Sequence, residues 1–245
     1  MALYSERINM FNSDSMLTTF ILLAVVRLAV FLLIIPIYES AHGLMAHWFG
    51  DDTAKDAGRI TLNPFAHLDI AGFILMLLLG VGWAKPVPVN PSKFKKRRLG
   101  MAMVSLAGPL SNLIAAFIGA AIYMMLGSAA VLTNIDTIEI GNGTSLAEIG
   151  VLLVYYYVSI NVSLAVFNLI PLPPLDGFNI LRSFMPAKFD VWVFKNYRTL
   201  NTAFIILLVL STRIMELQLP YLYARSFMET LIWLSVSWIP GLFGL

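Results

Sequence analysis

The chain has 245 residues, 59% hydrophobic and 12% charged, with a mean hydropathy of +0.81. A soluble domain carries about 25% charged residues, so this composition excludes an ordinary water-facing surface and describes a single bundle embedded in a lipid bilayer. The net charge is only +2, and there are no cysteines, which excludes disulfides and thiolate metal sites.

The chain opens with MALYSERINMFNSDSM, polar and mixed in charge. No short apolar core there ends at a small-residue cleavage site, so no cleavable signal peptide is expected. Apolar stretches occur at Leu17–Phe49, His67–Trp83, Met101–Leu132, Leu146–Ile170, Thr202–Leu217 and Tyr221–Leu245. A bilayer core takes about 20 helical residues, so the first stretch is too long for one upright crossing. Arg27 divides it, and a charge belongs near an interface, where it can snorkel. Arg27–Phe49 is then the span and Leu17–Val26 an extension. The alternative makes Leu17–Ile37 the span and moves Tyr38–His42 to the membrane edge. Pro36 bends the helix just before Tyr38.

His67–Trp83 is short, with Gly72 and Gly80, and either spans or dips in and returns. Ala84–Pro91 comes next, with prolines at 86, 88 and 91, and such spacing reads as extended chain. It could serve as an edge strand for a peptide or as a stiff linker. Lys93–Arg98 is a dense basic run. In this composition it reads as a cytosolic loop rather than a nucleic-acid surface, and no nucleic-acid partner is expected. The basic stretch 182–198 reads the same way. The acidic stretch 133–148, with Asp136, Glu139 and Glu148, is placed outside. The sequon at Asn142 carries no weight.

The first span carries Tyr38-Glu39-Ser40-Ala41-His42. At about 100° per residue, positions 38 and 42 share a helix face. Two histidines at this spacing can hold one zinc, with the intervening glutamate as base toward the metal-bound water. Glu39 and His42 meet this requirement; Tyr38 breaks it. The bland reading is a Glu39–His42 hydrogen-bonded pair inside the bundle. After the 146–170 span, Asn168-Leu-Ile-Pro-Leu-Pro-Pro-Leu-Asp176-Gly177 breaks the helix at membrane depth or at its edge. Asp176 could reach a metal or could close an ordinary turn. Ala107-Gly-Pro-Leu-Ser-Asn112, early in the 101–132 span, suits close helix packing.

Together these segments resemble the site-2 protease family of intramembrane zinc metalloproteases, in its compact prokaryotic branch. The matching text is ESAHGLMAHWFGDDTAKDAGRITLNPFAHLDIAG (39–72), GWAKPVPVNP (82–91), AGPLSN (107–112) and FNLIPLPPLDG (167–177). The resemblance covers roughly 39–183 and implies an all-α polytopic membrane fold. That fold would have about five to six membrane helices and a re-entrant or extended segment near 67–91. It implies one protease-type domain over 1–245, with an N-terminal extension to 26, a core at 27–183 and a C-terminal helix pair at 202–245 as a candidate gate. It makes Glu39 the catalytic base and His42 and Asp176 zinc ligands. Asn112, Asn168, Lys85, Val87 and Val89 would position an unwound substrate helix. The implied cofactor is one zinc ion, the implied partners are the lipid bilayer and a transmembrane segment of a protein substrate, and the implied place is a prokaryotic cell membrane with the basic loops cytosolic.

Tyr38 stands where the family has its first zinc histidine. A phenol, with pKa near 10, must lose its proton to bind a metal, and three protein ligands plus water is the usual catalytic set. Zinc binding and hydrolysis are therefore expected to be impaired or absent, and a pseudoprotease that holds membrane helices is the alternative. A transporter reading, with Glu39–His42 as a proton relay, lacks charge pairs on the other spans and a half-helix repeat.

Overall fold

The structure, a computed structural model, describes residues 13–79, 82–126, 146–211 and 214–242. The N-terminus to residue 12, the acidic stretch up to residue 145 and the side chain of Arg27 lie outside the described residues. The described residues form helices and connecting segments, with no β-strand among them. The helices are α1 (Ser13–Trp48), α2 (Thr53–Asp56), α3 (Ile70–Leu79), α4 (Arg97–Leu126), α5 (Leu146–Asn168), α6 (Asp176–Phe184), α7 (Ala187–Ser211), α8 (Met215–Val236) and α9 (Ile239–Leu242).

α1 is continuous through Pro36. Its 36 residues reach about 54 Å, well beyond a bilayer core of about 30 Å. α3, with 10 residues, reaches only about 15 Å and is too short to cross. The chain returns beside it. A Cβ on Gly72 would stand 2.1 Å from the carbonyl oxygen of Trp83, so only glycine admits the returning strand. The amide of Lys85 then donates to the carbonyl of His67 at 2.9 Å. The backbone at Trp83–Lys85 therefore lies beside the start of α3 and the His67 carbonyl.

Three helical segments among the described residues are long and apolar enough to span a membrane: Arg97–Leu126, Gly150–Asn168 and Ala187–Leu210. α4 is the hub and packs on α1, α5, α6 and α8. Its face against α5 is built from Ala116 and Ala120, which meet Val158 and Val162; Ile232 and Val236 of α8 complete this core. Small side chains let the backbones approach where lipid supplies no hydrophobic drive between helices. On the other side of α5, Leu153, Tyr157, Ile160 and Leu164 pack against Ile34 of α1.

Two expectations change. The basic stretch 182–198, read as a loop, is helical except at Met185 and Pro186, because α6 runs to Phe184 and α7 begins at Ala187, fifteen residues before its apolar part. And α8 does carry a charge pair: Arg225 meets Glu229 at 3.5 Å, and donates to Ser159 Oγ on α5 at 2.6 Å. Their i, i+4 spacing on one helix face was the available signal.

Candidate active site

Tyr38, Glu39 and His42 occupy one turn of α1, buried against α4. Close approach depends on Gly108, where a Cβ would lie 2.4 Å from His42 Nε2 and 2.6 Å from Tyr38 Cε2. The Ala-Gly-Pro segment thus makes room for the α1 side chains. Asp176 opens α6, where the helix dipole favours a carboxylate.

These residues meet across 138 positions of sequence. Tyr38 Oη donates a hydrogen bond to Asp176 Oδ2. His42 Nε2 lies 3.3 Å from the same oxygen, and the rings of Tyr38 and His42 meet edge-on, with centroids 4.7 Å apart. His42 Nδ1 lies 2.7 Å from the Val104 carbonyl. A carbonyl only accepts, so Nδ1 carries a hydrogen, and Nε2 faces Asp176. Glu39 Oε2 accepts the amide hydrogen of Val87 at 2.9 Å.

The extended segment after the hairpin is tied down along its length. Arg59 Nη2 donates to the carbonyl of Lys85 at 2.6 Å, Val87 is held by Glu39, and the amide of Asn90 donates to Asp51 Oδ2. A cavity of about 310 Å³ lies between this segment, α1, α4 and α6. Of the residues singled out in the sequence, Tyr38, Glu39, His42, Val87, Val89, Asn168 and Asp176 line it. Lys85 and Asn112 do not. Lys85 is exposed, and Asn112 is fully buried within α4. Ser105, Pro174 and Asn179 join the lining without having been singled out. Asn179 stands three residues after Asp176 on a helix, a same-face spacing that could have been read.

A metal ion fits part of this arrangement. Two ligand atoms each about 2.0–2.1 Å from a tetrahedral zinc stand about 3.3 Å apart, which is the His42–Asp176 separation. A proton on Nε2 or a metal cation between the ring and the carboxylate oxygen would each satisfy this pair. The Val104 bond fixes the ring as an outer partner does at a metal site. The third corner does not match. Among the described residues, no group of three His, Cys, Asp or Glu side chains comes together, so the corner falls to a phenol whose proton already serves Asp176.

The family model described as Peptidase family M50 matches residues 26–211. The chain is 44% identical over 155 residues to the "Putative zinc metalloprotease YwhC" of Bacillus subtilis (strain 168), covering 61% of this chain and 64% of that protein. It is 27% identical over 175 residues to the "Putative zinc metalloprotease Rip2" of Mycolicibacterium smegmatis, covering 66% of this chain and 61% of that protein. The matched region is thus under two thirds of the length of either relative. No solved structure matches.

Proposed function

The chain belongs to peptidase family M50, and from that premise we propose that it is an intramembrane metalloprotease of the site-2 type whose hydrolysis is impaired by Tyr38. Its substrate on this reading is a transmembrane segment of another protein. The observation that carries it is the convergence of Glu39, His42 and Asp176 on one cavity beside an extended chain segment.

His42 Nε2 and Asp176 Oδ2 would hold the zinc. Bound there, it supplies Lewis-acid polarisation of a carbonyl and a more acidic water. Glu39 takes the proton of the attacking water and returns it to the departing amine. The Val87 amide holds Oε2 of that carboxylate in place. The 85–90 segment, with Val87 and Val89 on the cavity wall, and Asn168 opposite, are placed to hold an unwound substrate strand. The basic residues Lys55, Arg59, 93–98 and 182–198 face the cytosol by the positive-inside rule. The whole chain acts as one domain in a prokaryotic cell membrane, and the 202–245 helix pair is its gate.

Tyr38 sets the level of activity. Loss of even an outer-shell partner costs about 10–100-fold in metal affinity, and replacing a ligand costs more. Purified protein is expected to carry well under one zinc per chain. Tyr38→His is expected to raise this to about one and to restore cleavage of a transmembrane reporter. A full zinc complement in the unaltered protein overturns the impairment. A zinc-free Tyr38→His variant overturns the assignment of His42 and Asp176. The pseudoprotease alternative is favoured by the Tyr38–Asp176 hydrogen bond, which gives Asp176 a partner without a metal; on that reading the chain retains substrate helices and never cuts them.

A further inference from the structure

Beside the catalytic cavity lies a second one of about 320 Å³, between the start of α4, α6 and the start of α7. Met101 and Asn179 line both. Its polar wall is made by Arg97, Arg98, Arg182 and Asp190. Asp190 accepts from Arg182 Nε at 2.5 Å and stands 3.8 Å from Arg98 Nη2. One carboxylate therefore orients two guanidinium groups. Arg97 has no carboxylate partner among the described residues, so three positive charges meet one negative and the pocket is left at +2. Topology alone asks only for basic residues on this side of the membrane; it does not ask for arginines gathered around a cavity and aligned by a buttressing carboxylate.

The surroundings say which anion suits it. On the far side of Arg182, a cavity of about 540 Å³ is lined by Val193, Phe194, Lys195, Tyr197 and Arg198. The first turns of α7 expose Trp192, Phe194 and Tyr197 among Lys188, Lys195 and Arg198. Aromatic rings interleaved with cations mark the headgroup level of a bilayer. Guanidinium groups suit phosphate oxygens through paired N–H donors, and basic pockets between helices at the cytoplasmic face hold anionic lipid headgroups. A cationic pocket that continues past Val193, Phe194 and Tyr197, with Lys195 and Arg198 beside them, fits a phosphodiester carrying acyl chains better than a free ion.

We propose that the Arg97–Arg98–Arg182 pocket binds the phosphate of an anionic phospholipid, with Arg182 between the headgroup in one cavity and the start of the acyl chains in the other. The bound lipid would form part of the wall next to the catalytic cavity. The site is independent of whether the chain cleaves peptides, and its test reads lipid rather than proteolysis.

The full chain, purified in uncharged detergent, is titrated with phosphatidylglycerol or phosphatidylcholine, and retained lipid is read by native mass spectrometry. Phosphatidylglycerol is expected to be retained at least about fivefold better. The double variant Arg98→Gln/Arg182→Gln should lower that retention about tenfold or more. Ala187→Phe fills the same cavity from an exposed position and leaves the charge unchanged; it should lower retention comparably and serves if the arginine pair disturbs folding. Lys95→Gln/Lys96→Gln, the same charge change outside the cavity, should stay within about twofold. Equal retention of both lipids, equal loss in the lysine pair, or full retention in Ala187→Phe would each overturn the site. Binding of inorganic phosphate with the same variant dependence, without retained phosphatidylglycerol, would overturn the lipid and leave a free-anion pocket.

Discussion

Glu39 has two tasks that a single substitution separates. Its carboxylate anchors the Val87 amide, and on the proposed chemistry it moves a proton. Glutamine keeps an oxygen that accepts from Val87 but cannot act as a base. In a Tyr38→His background, Glu39→Gln is expected to lower cleavage by about 10²–10⁴-fold while zinc content stays unchanged. A parallel loss of zinc would show that Glu39 holds the metal instead. The α1 part of this constellation was legible because helical periodicity puts positions 38 and 42 on one face. Asp176 was not settled by spacing, since it arrives from 138 residues away; the sequence left it between a metal ligand and an ordinary turn, and only the resemblance made it a ligand. The role of Gly108 was half legible: small residues announced a close approach, but not that His42 and Tyr38 were what approached.

At the scale of the element, the extended segment depends on anchors it does not itself contain. Asp51, fully buried just past α1, accepts from the Thr53 amide and hydroxyl and from the Asn90 amide, and lies 3.6 Å from Lys93 Nζ. Burial pushes its carboxyl upward, but these hydrogen bonds and the lysine charge outweigh that and hold it below the usual carboxylate range. A depressed native value means that this tie stabilises the fold fully above the ordinary carboxylate pKa and is lost as pH falls through the lower native one. The protection factor of the Asn90 amide, the free amide's exchange rate over its own at the same pH, should therefore be high at neutral pH and fall in acid. Asp51→Ala should show the exposed behaviour already at pH 7, at a cost of about 1–3 kcal/mol for the stranded amides. Protection unaffected by the substitution would remove Asp51 as the anchor. Alternating prolines made the extended shape readable in advance. Its three ties were not, because Arg59, Glu39 and Asp51 are local to other elements.

Across the molecule, the helices differ in how firmly they are held. α8 is pinned to α4 and α5 through Ile232 and Val236, whereas α7 exposes Ile205, Ile206, Val209 and Leu210 and touches mainly α8. If substrate enters between helices, α7 is the one that yields. The chain has no cysteine, so thiols introduced at Phe204 and Tyr221, both packed on Phe167, can be bridged selectively by a bifunctional thiol crosslinker. Joining them should block binding of a transmembrane substrate and leave zinc content alone; undiminished binding would place the entrance elsewhere. Composition made the membrane class legible and the resemblance its all-helical fold, while hydropathy located the spans at Arg97–Leu126 and Gly150–Asn168. The helical start of α7 escaped because its charges hid a continuous helix. The distance in sequence between Tyr38 and Asp176 has one more consequence, for synthesis. On the proposed assignments, α1 leaves the ribosome with Glu39 and His42 in place, yet the site is incomplete until α4 has docked and residue 176 has emerged. During most of its own translation the chain therefore holds only half of that site.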